Sequence, residues 1–174
     1  MGSIDEVLKS NHARAQDFRS PDLEKPPARK LAVVACMDAR LSIGPMLGLQ
    51  TGDAHIIRNA GGIVTEDALR SLIISHHLLG TNEFMIINHT DCGMMGFRDD
   101  ELRSRLQEQT GEYPLAPERF HAFIDVEENV RTQIRKLRLH PWIPKSISVR
   151  GFIFDVKTGR LNEVSPLHAA VAKD

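Results

Sequence analysis

A chain of 174 residues, 41% hydrophobic and 26% charged, fits one globular domain with a sizeable core and leaves little room for a second. Its formal net charge of −1 gives no electrostatic reason to bind nucleic acid or an acidic membrane surface. Two cysteines are too few for a disulfide framework, and no stretch approaches the roughly 20 apolar residues that cross a bilayer, so we expect a cytoplasmic protein whose thiols serve reactivity or metal binding.

Ser3 followed by Glu6 carries a capping-box signature, and Ile4, Val7, Leu8, Ala15 and Phe18 form an incomplete helical stripe that predicts a first helix. The early acids Asp5 and Glu6 also differ from the basic start of a signal peptide. From Ser20 to Lys30, Pro21, Pro26 and Pro27 among charges read as a stiff, extended linker. A helix held off in this way either packs on a partner subunit or folds back on its own domain. Residues 1–30 are thus read as a helical arm with its linker, and 31–174 as a single α/β domain.

Leu31 to Ala35 is continuously apolar and β-branched in its middle, as a buried strand of a parallel sheet would be. Cys36, Asp38 and Arg40 follow at alternate positions, so an extended backbone would point all three the same way. That strand end is where open α/β sheets bind ligands. Gly44, Pro45, Gly48 and Gly52 then permit only a short helical turn around Met46 to Leu49. His55 to Arg58 reads as a second strand running into Asn59, Ala60, Gly61 and Gly62, where paired glycines suit either an anion cradle or a plain strand-to-helix turn.

Thr65 can cap a third helix whose acidic start, Glu66 and Asp67, and glycine exit, Gly80, match the helix dipole and C-cap rules. Its apolar positions Leu69, Leu72, Ile73, Leu78 and Leu79 spread widely, which predicts extensive burial, with His76 and His77 as capping or interface residues. Glu83 to Asn88 is a third strand ending in His89-Thr90-Asp91-Cys92-Gly93. A polar helix from Asp99 to Gln109 has Leu102 and Leu106 inside, and Asp125 to Leu139 is an amphipathic helix on Val126, Val130, Ile134 and Leu137. Ser148 to Asp155 makes a fourth strand, and Lys157-Thr158-Gly159 turns it into a short partner, Arg160 to Val164. The predicted fold is α/β: a mainly parallel central sheet flanked by helices, with an antiparallel edge strand at the C-terminal hairpin.

With the first and third strands side by side, Cys36, His89 and Cys92 converge. Two thiolates and an imidazole suit Zn2+, and three protein ligands leave its fourth position open, as in catalytic sites. Such a metal brings the pKa of water from about 15.7 to near 7. Thiolates donate more charge than imidazoles, so this zinc should acidify water less than a three-histidine site would. Asp38 can either accept a hydrogen bond from zinc-bound hydroxide or bind the metal as a fourth ligand and close the site. A bidentate contact from Arg40 would hold it ionised and off the metal.

Cys36-Met37-Asp38-Ala39-Arg40, Arg58-Asn59-Ala60-Gly61 and His89-Thr90-Asp91-Cys92-Gly93 resemble, in order and separation, the C-x-D-x-R, R-N-A-G and H-x-x-C-G motifs of the β-class carbonic anhydrases. The likeness runs from about Leu31 to Gly96, continues at Asp155 to Leu161, and in length is similar to the compact archaeal and mycobacterial branch. It implies one zinc per subunit on Cys36, His89 and Cys92, an Asp38–Arg40 dyad, reversible hydration of CO2 to bicarbonate, and a homodimer or dimer of dimers with exchange of the N-terminal helix. His55, Ala60, Gly61 and Gly62 fall in the implied substrate pocket. His55 stands where plant-like members have an aromatic, as pocket wall or proton relay, Gly62 where many have asparagine, and Met94 where a smaller residue is common. Carbon disulfide or carbonyl sulfide hydrolysis on the same fold is an alternative, and a structural zinc site another.

Overall fold

The computed structural model describes residues 2–18 and 22–166; Ser20 and Pro21 of the expected linker and the last eight residues of the expected domain lie outside them. The order of elements is α1 (Ser3–Ala15), β1 (Leu31–Cys36), α2 (Ile43–Leu47), β2 (Ala54–Asn59), α3 (Glu66–Leu79), β3 (Glu83–His89), α4 (Asp99–Thr110), α5 (Val126–Leu139), β4 (Ser148–Phe154) and β5 (Leu161–Val164). The strands form one sheet in the order β2-β1-β3-β4-β5. β1 pairs in parallel with both β2 and β3, β3 pairs in parallel with β4, and only the β4–β5 edge is antiparallel, as the sequence pattern predicts.

The continuous apolar run of β1 reflects burial on both faces. Ala32 and Val34 join Phe84 and Ile86 of β3 in a core with Leu72 of α3 and Val130, Ile134 and Leu137 of α5. Val33 and Ala35 face the other way, into a second core that takes in Leu41, Ile43, Ile87, Met94 and both cysteines. Gly151 lets α5 approach β4 closely, since a Cβ there would run into Val130 and Ile134. Asp125 caps α5 by accepting from Glu127 N (2.8 Å) and Glu128 N (3.0 Å), and Thr65 caps α3 by accepting from Ala68 N.

Local chemistry revises several expectations. The Ser3/Glu6 capping box does not form: α1 begins at Ser3, and Asp5 accepts from Gly2 N instead (3.0 Å). α2 starts earlier than expected, at Ile43, and Gly48, at φ 63°, ends it and leaves Leu49 beyond the helix. α3 buries Ala68, Leu72 and Ser75, while Leu78 is 75% exposed, so its wide apolar spread covers one face and leaves another bare. α4 buries no residue, and Leu106 is exposed. α1 also buries none, and Ile4, Val7 and Leu8 are all exposed. Among the described residues no helix is long and apolar enough to cross a membrane.

Candidate metal centre

Three strand-end features deliver one cluster. β1 runs out at Cys36 and β3 at His89, in adjacent parallel strands whose register pairs Ala35 with Ile87. The chain then turns at Asp91, in the left-handed region at φ 55°, and a single 3₁₀ turn, Gly93–Met95, fixes Cys92 with Met95 N donating to Cys92 O (3.0 Å). The ligand atoms of Cys36, His89 and Cys92 all lie within 4.8 Å of one another and all three residues are buried; among the described residues no other such cluster occurs.

The protonation pattern suits a cation. His89 Nδ1 lies 2.8 Å from the Thr90 carbonyl, which can only accept, so this nitrogen carries the proton and Nε2 the lone pair. Nε2 is buried without a hydrogen-bond partner, a costly state that a metal relieves. The two sulfurs are 4.0 Å apart. The Cys92 thiol in that contact draws Cys36 down to about 4, against burial, and the same contact with burial pushes Cys92 up. Two buried thiolates at this separation repel unless a cation sits between them. Sulfur, sulfur and a bare imidazole nitrogen form the donor set zinc takes.

Asp38 lies outside the three-residue cluster. Arg40 holds its carboxylate in a fork, Nε to Oδ1 at 2.9 Å and Nη2 to Oδ2 at 2.8 Å, and Arg40 N adds a third bond to Oδ1 at 2.9 Å. These contacts, side chain first and backbone second, hold the carboxyl well below the usual carboxylate range. Alternate spacing in an extended chain does not produce this arrangement. β1 ends at Cys36, Leu41 N closes a turn on Asp38 O (3.0 Å), and the Asp38 side chain folds back onto that turn. Asp38 Oδ2 comes to 3.7 Å from His89 Nε2, so the restrained carboxylate still faces the cluster.

Sequence reasoning passed over three supports. Arg58 ties β2 to the site by donating from Nε to Cys36 O (3.0 Å) and from Nη2 to Asp38 O (2.7 Å). Asp91 takes the other side of Arg40, its Oδ2 accepting from Nη1 at 2.7 Å and its carbonyl from Nη2 at 2.9 Å. Thr90 Oγ1 accepts from Val156 N (3.1 Å), which gives the terminal D-V-K-T-G hairpin a part in holding the His89 loop. The positions of Asp91 and Thr90 between two ligands were the only signal for them.

Of the expected pocket residues, Gly61 and Gly62 adjoin the cluster. Gly62, at φ 62°, sits so tightly between the strand ends that a Cβ would fall 2.9 Å from Cys36 N and 2.8 Å from Ile87 O. Ala60 packs against the core containing both cysteines. His55 is not brought to the cluster of its own chain. It pairs in register with Ala32, at the far end of β1, and its Nδ1 lies 2.7 Å from Ser75 Oγ.

Comparison with known proteins agrees with this geometry. A family model described as carbonic anhydrase matches residues 31–161. Over 167 residues the chain is 48% identical to β-carbonic anhydrase 1 of Mycobacterium tuberculosis, covering 95% of this chain and 100% of that protein. It is 38% identical over 154 residues to a carbon disulfide hydrolase of Acidithiobacillus thiooxidans, covering 78% and 77%. Among solved structures, a carbonic anhydrase from Streptococcus mutans superposes with a TM-score of 0.89 at 42% identity, covering 95% of this chain and 99% of that one.

Proposed function

The chain belongs to the β-carbonic anhydrase family, a zinc enzyme that hydrates CO2 reversibly to bicarbonate and a proton, and we propose that Cys36, His89 and Cys92 hold its zinc while Asp38 and Arg40 govern the open position. The observation that carries this reading is the bare, buried Nε2 of His89 beside two sulfurs, with the nearest carboxylate restrained by a guanidinium. Zinc, when bound, supplies the Lewis acidity that makes water nucleophilic near neutral pH.

Each residue then has a task. Asp38, ionised and therefore acceptor-only, orients the attacking water through a hydrogen bond on the side facing His89. Arg40 keeps that carboxylate from turning to the metal, and Arg58 fixes the backbone from Cys36 to Asp38. Ala60, Gly61 and Gly62 wall the pocket where linear CO2 lies.

Exposed features support an assembly of subunits. α1 carries an uncovered apolar face, and β2 is an edge strand with Ile56 exposed, a surface that invites pairing. We assign both to a homodimer, or a dimer of dimers, in which the arm, residues 1–30, reaches onto the neighbouring subunit. His55 on that edge strand would then serve a pocket only across the interface. Two free thiols suit a reducing compartment, which supports a cytoplasmic location.

Stopped-flow CO2 hydration between about pH 6.5 and 9, beside zinc quantification, tests the function. Zinc-replete protein should be active across that window. Zinc-replete protein inactive on CO2 but releasing hydrogen sulfide from carbon disulfide would favour the second reading, which the 38% identical hydrolase motivates.

A further inference from the structure

Helix α5 contributes nothing to the ligand set, yet two of its amides, Asn129 and Gln133, join Asn88 of β3 in a chain of bonds that reaches the turn beside it. Val64 N donates to Gln133 Oε1 (3.0 Å), Gln133 Nε2 to Asn129 Oδ1 (2.9 Å), Asn129 Nδ2 to Asn88 Oδ1 (2.6 Å), and Asn88 Nδ2 to the carbonyls of Gly61 (2.9 Å) and Gly62 (3.2 Å). The chain of bonds begins and ends in one short segment, residues 61–64, and so closes into a ring. Its direction is fixed by the backbone. Val64 N–H can only donate and the two glycine carbonyls can only accept, so every amide between them has one orientation. Asn88 and Gln133 are both buried, at 1% and 4% exposure, where an amide left unpaired is costly.

The pinned segment is the one that presses on the metal site. Gly62 rests against Cys36 N and Ile87 O at a distance that excludes a Cβ. Asn88 directly precedes the ligand His89, so one side chain links the end of β3 to the turn lying on the end of β1. Asn59 braces the same turn from its other side, accepting from Ile63 N (2.8 Å) and donating to Ile63 O (2.7 Å).

We propose that Asn88, Asn129 and Gln133 are positioning residues of the metal centre: their amide ring seats the Gly61–Gly62 turn against Cys36 and thereby sets how firmly Cys36 holds zinc. The proposal rests on the reading of Cys36, His89 and Cys92 as the ligands. Outer partners of metal ligands commonly change metal affinity by roughly 10- to 100-fold, which sets the expected scale.

The test uses the full chain with Asn129→Ala and Gln133→Ala, which cut the ring at different points, and Asn129→Asp, which keeps the acceptor for Gln133 but turns a carboxylate oxygen toward Asn88 Oδ1 in place of the donor. Ile134→Val, in the same helix and core but off the ring, is the control for lost stability. Two readouts are the rate of zinc transfer to a chromophoric chelator and the thiolate-to-cobalt charge-transfer band of Co(II)-substituted protein. Ring variants should release zinc roughly 10-fold faster or more and shift the band, while Ile134→Val lowers Tm and moves neither. Any ring variant that folds and behaves as Ile134→Val does would overturn the ring proposal. A wild-type chain that takes up no zinc would overturn the ligand assignment and the ring with it.

Discussion

The metal cluster and the amino-terminal arm are each missing a partner, and the chemistry of each says what kind. In the cluster almost every polar group is satisfied and buried, and the exception is a single nitrogen lone pair on His89. On α1, whose residues are all exposed, what lies uncovered among the described residues is apolar: Ile4, Val7 and Leu8, on a helix that buries nothing. A bare lone pair among sulfurs calls for a cation. A bare aliphatic stripe calls for another apolar surface. The two gaps therefore predict different occupants, and perturbing one should leave the other intact.

Removing the lone pair gives the largest effect. His89→Ala should drop zinc content to below about a tenth of one per chain and CO2 hydration by more than roughly 100-fold, while leaving the oligomeric mass unchanged. Metal analysis with stopped-flow kinetics and light scattering reads all three. Retained zinc would mean that the cluster is not the metal's seat.

Arg40→Ala comes next. Its two side-chain bonds to Asp38 form the fork that restrains a carboxylate facing the cluster, and the variant keeps only the backbone bond, so activity near neutral pH should fall roughly 10-fold or more with zinc still bound. Anion binding to the Co(II)-substituted protein should weaken in parallel, as Asp38 competes for the open position. Unchanged activity at full zinc content would remove the dyad from the mechanism.

The arm is tested by Leu8→Asp. Burying such a side chain contributes about 2 kcal/mol per arm, so a charge there should weaken the proposed dimer by at least roughly 30-fold, seen as a shift toward monomer in sedimentation at micromolar concentration. Zinc content should not change. A mass that stays constant would remove the arm from the proposed interface and leave β2 to hold it. Acid separates the two regions in the opposite sense. Zinc binding needs both sulfurs deprotonated and His89 neutral, so lowering pH weakens it as protons compete for the same atoms, whereas a contact made by aliphatic side chains carries no proton linkage.

How far each region could be read from sequence follows from the range of its interactions. The strands β1 and β3 were legible because burial on both faces leaves an unbroken apolar run, and the candidate ligands because a thiol and an imidazole are out of place at the end of one. The residues of the proposed dyad were legible, yet their geometry was not: it arises from a turn at Asp38 rather than from an extended chain. Burial of α3 was overestimated because periodicity reports which residues are apolar, not whether a neighbour covers them, and among the described residues Leu78 is left 75% exposed. Asn88, Asn129 and Gln133 carried no signal at all. Each is an ordinary amide, and only the packing of α5 on the sheet brings positions 41 residues apart within 2.6 Å.

The smallest expected effect belongs to Asp91, and it asks how rigidly the cluster is joined to its surroundings. This carboxylate is 76% exposed and accepts from the face of Arg40 that Asp38 leaves free. Exposed ion pairs are screened by water and salt, and Asp91→Ala leaves intact both the fork on Asp38 and the backbone bond from Arg40 Nη2 to the residue-91 carbonyl. Activity should therefore fall by less than about fivefold, with zinc retained, in the same stopped-flow assay. A loss as large as that of Arg40→Ala would mean that Arg40 is aimed by the loop carrying His89 and Cys92. The restraint on Asp38 would then be set by the ligand loop itself, rather than by the turn that follows β1.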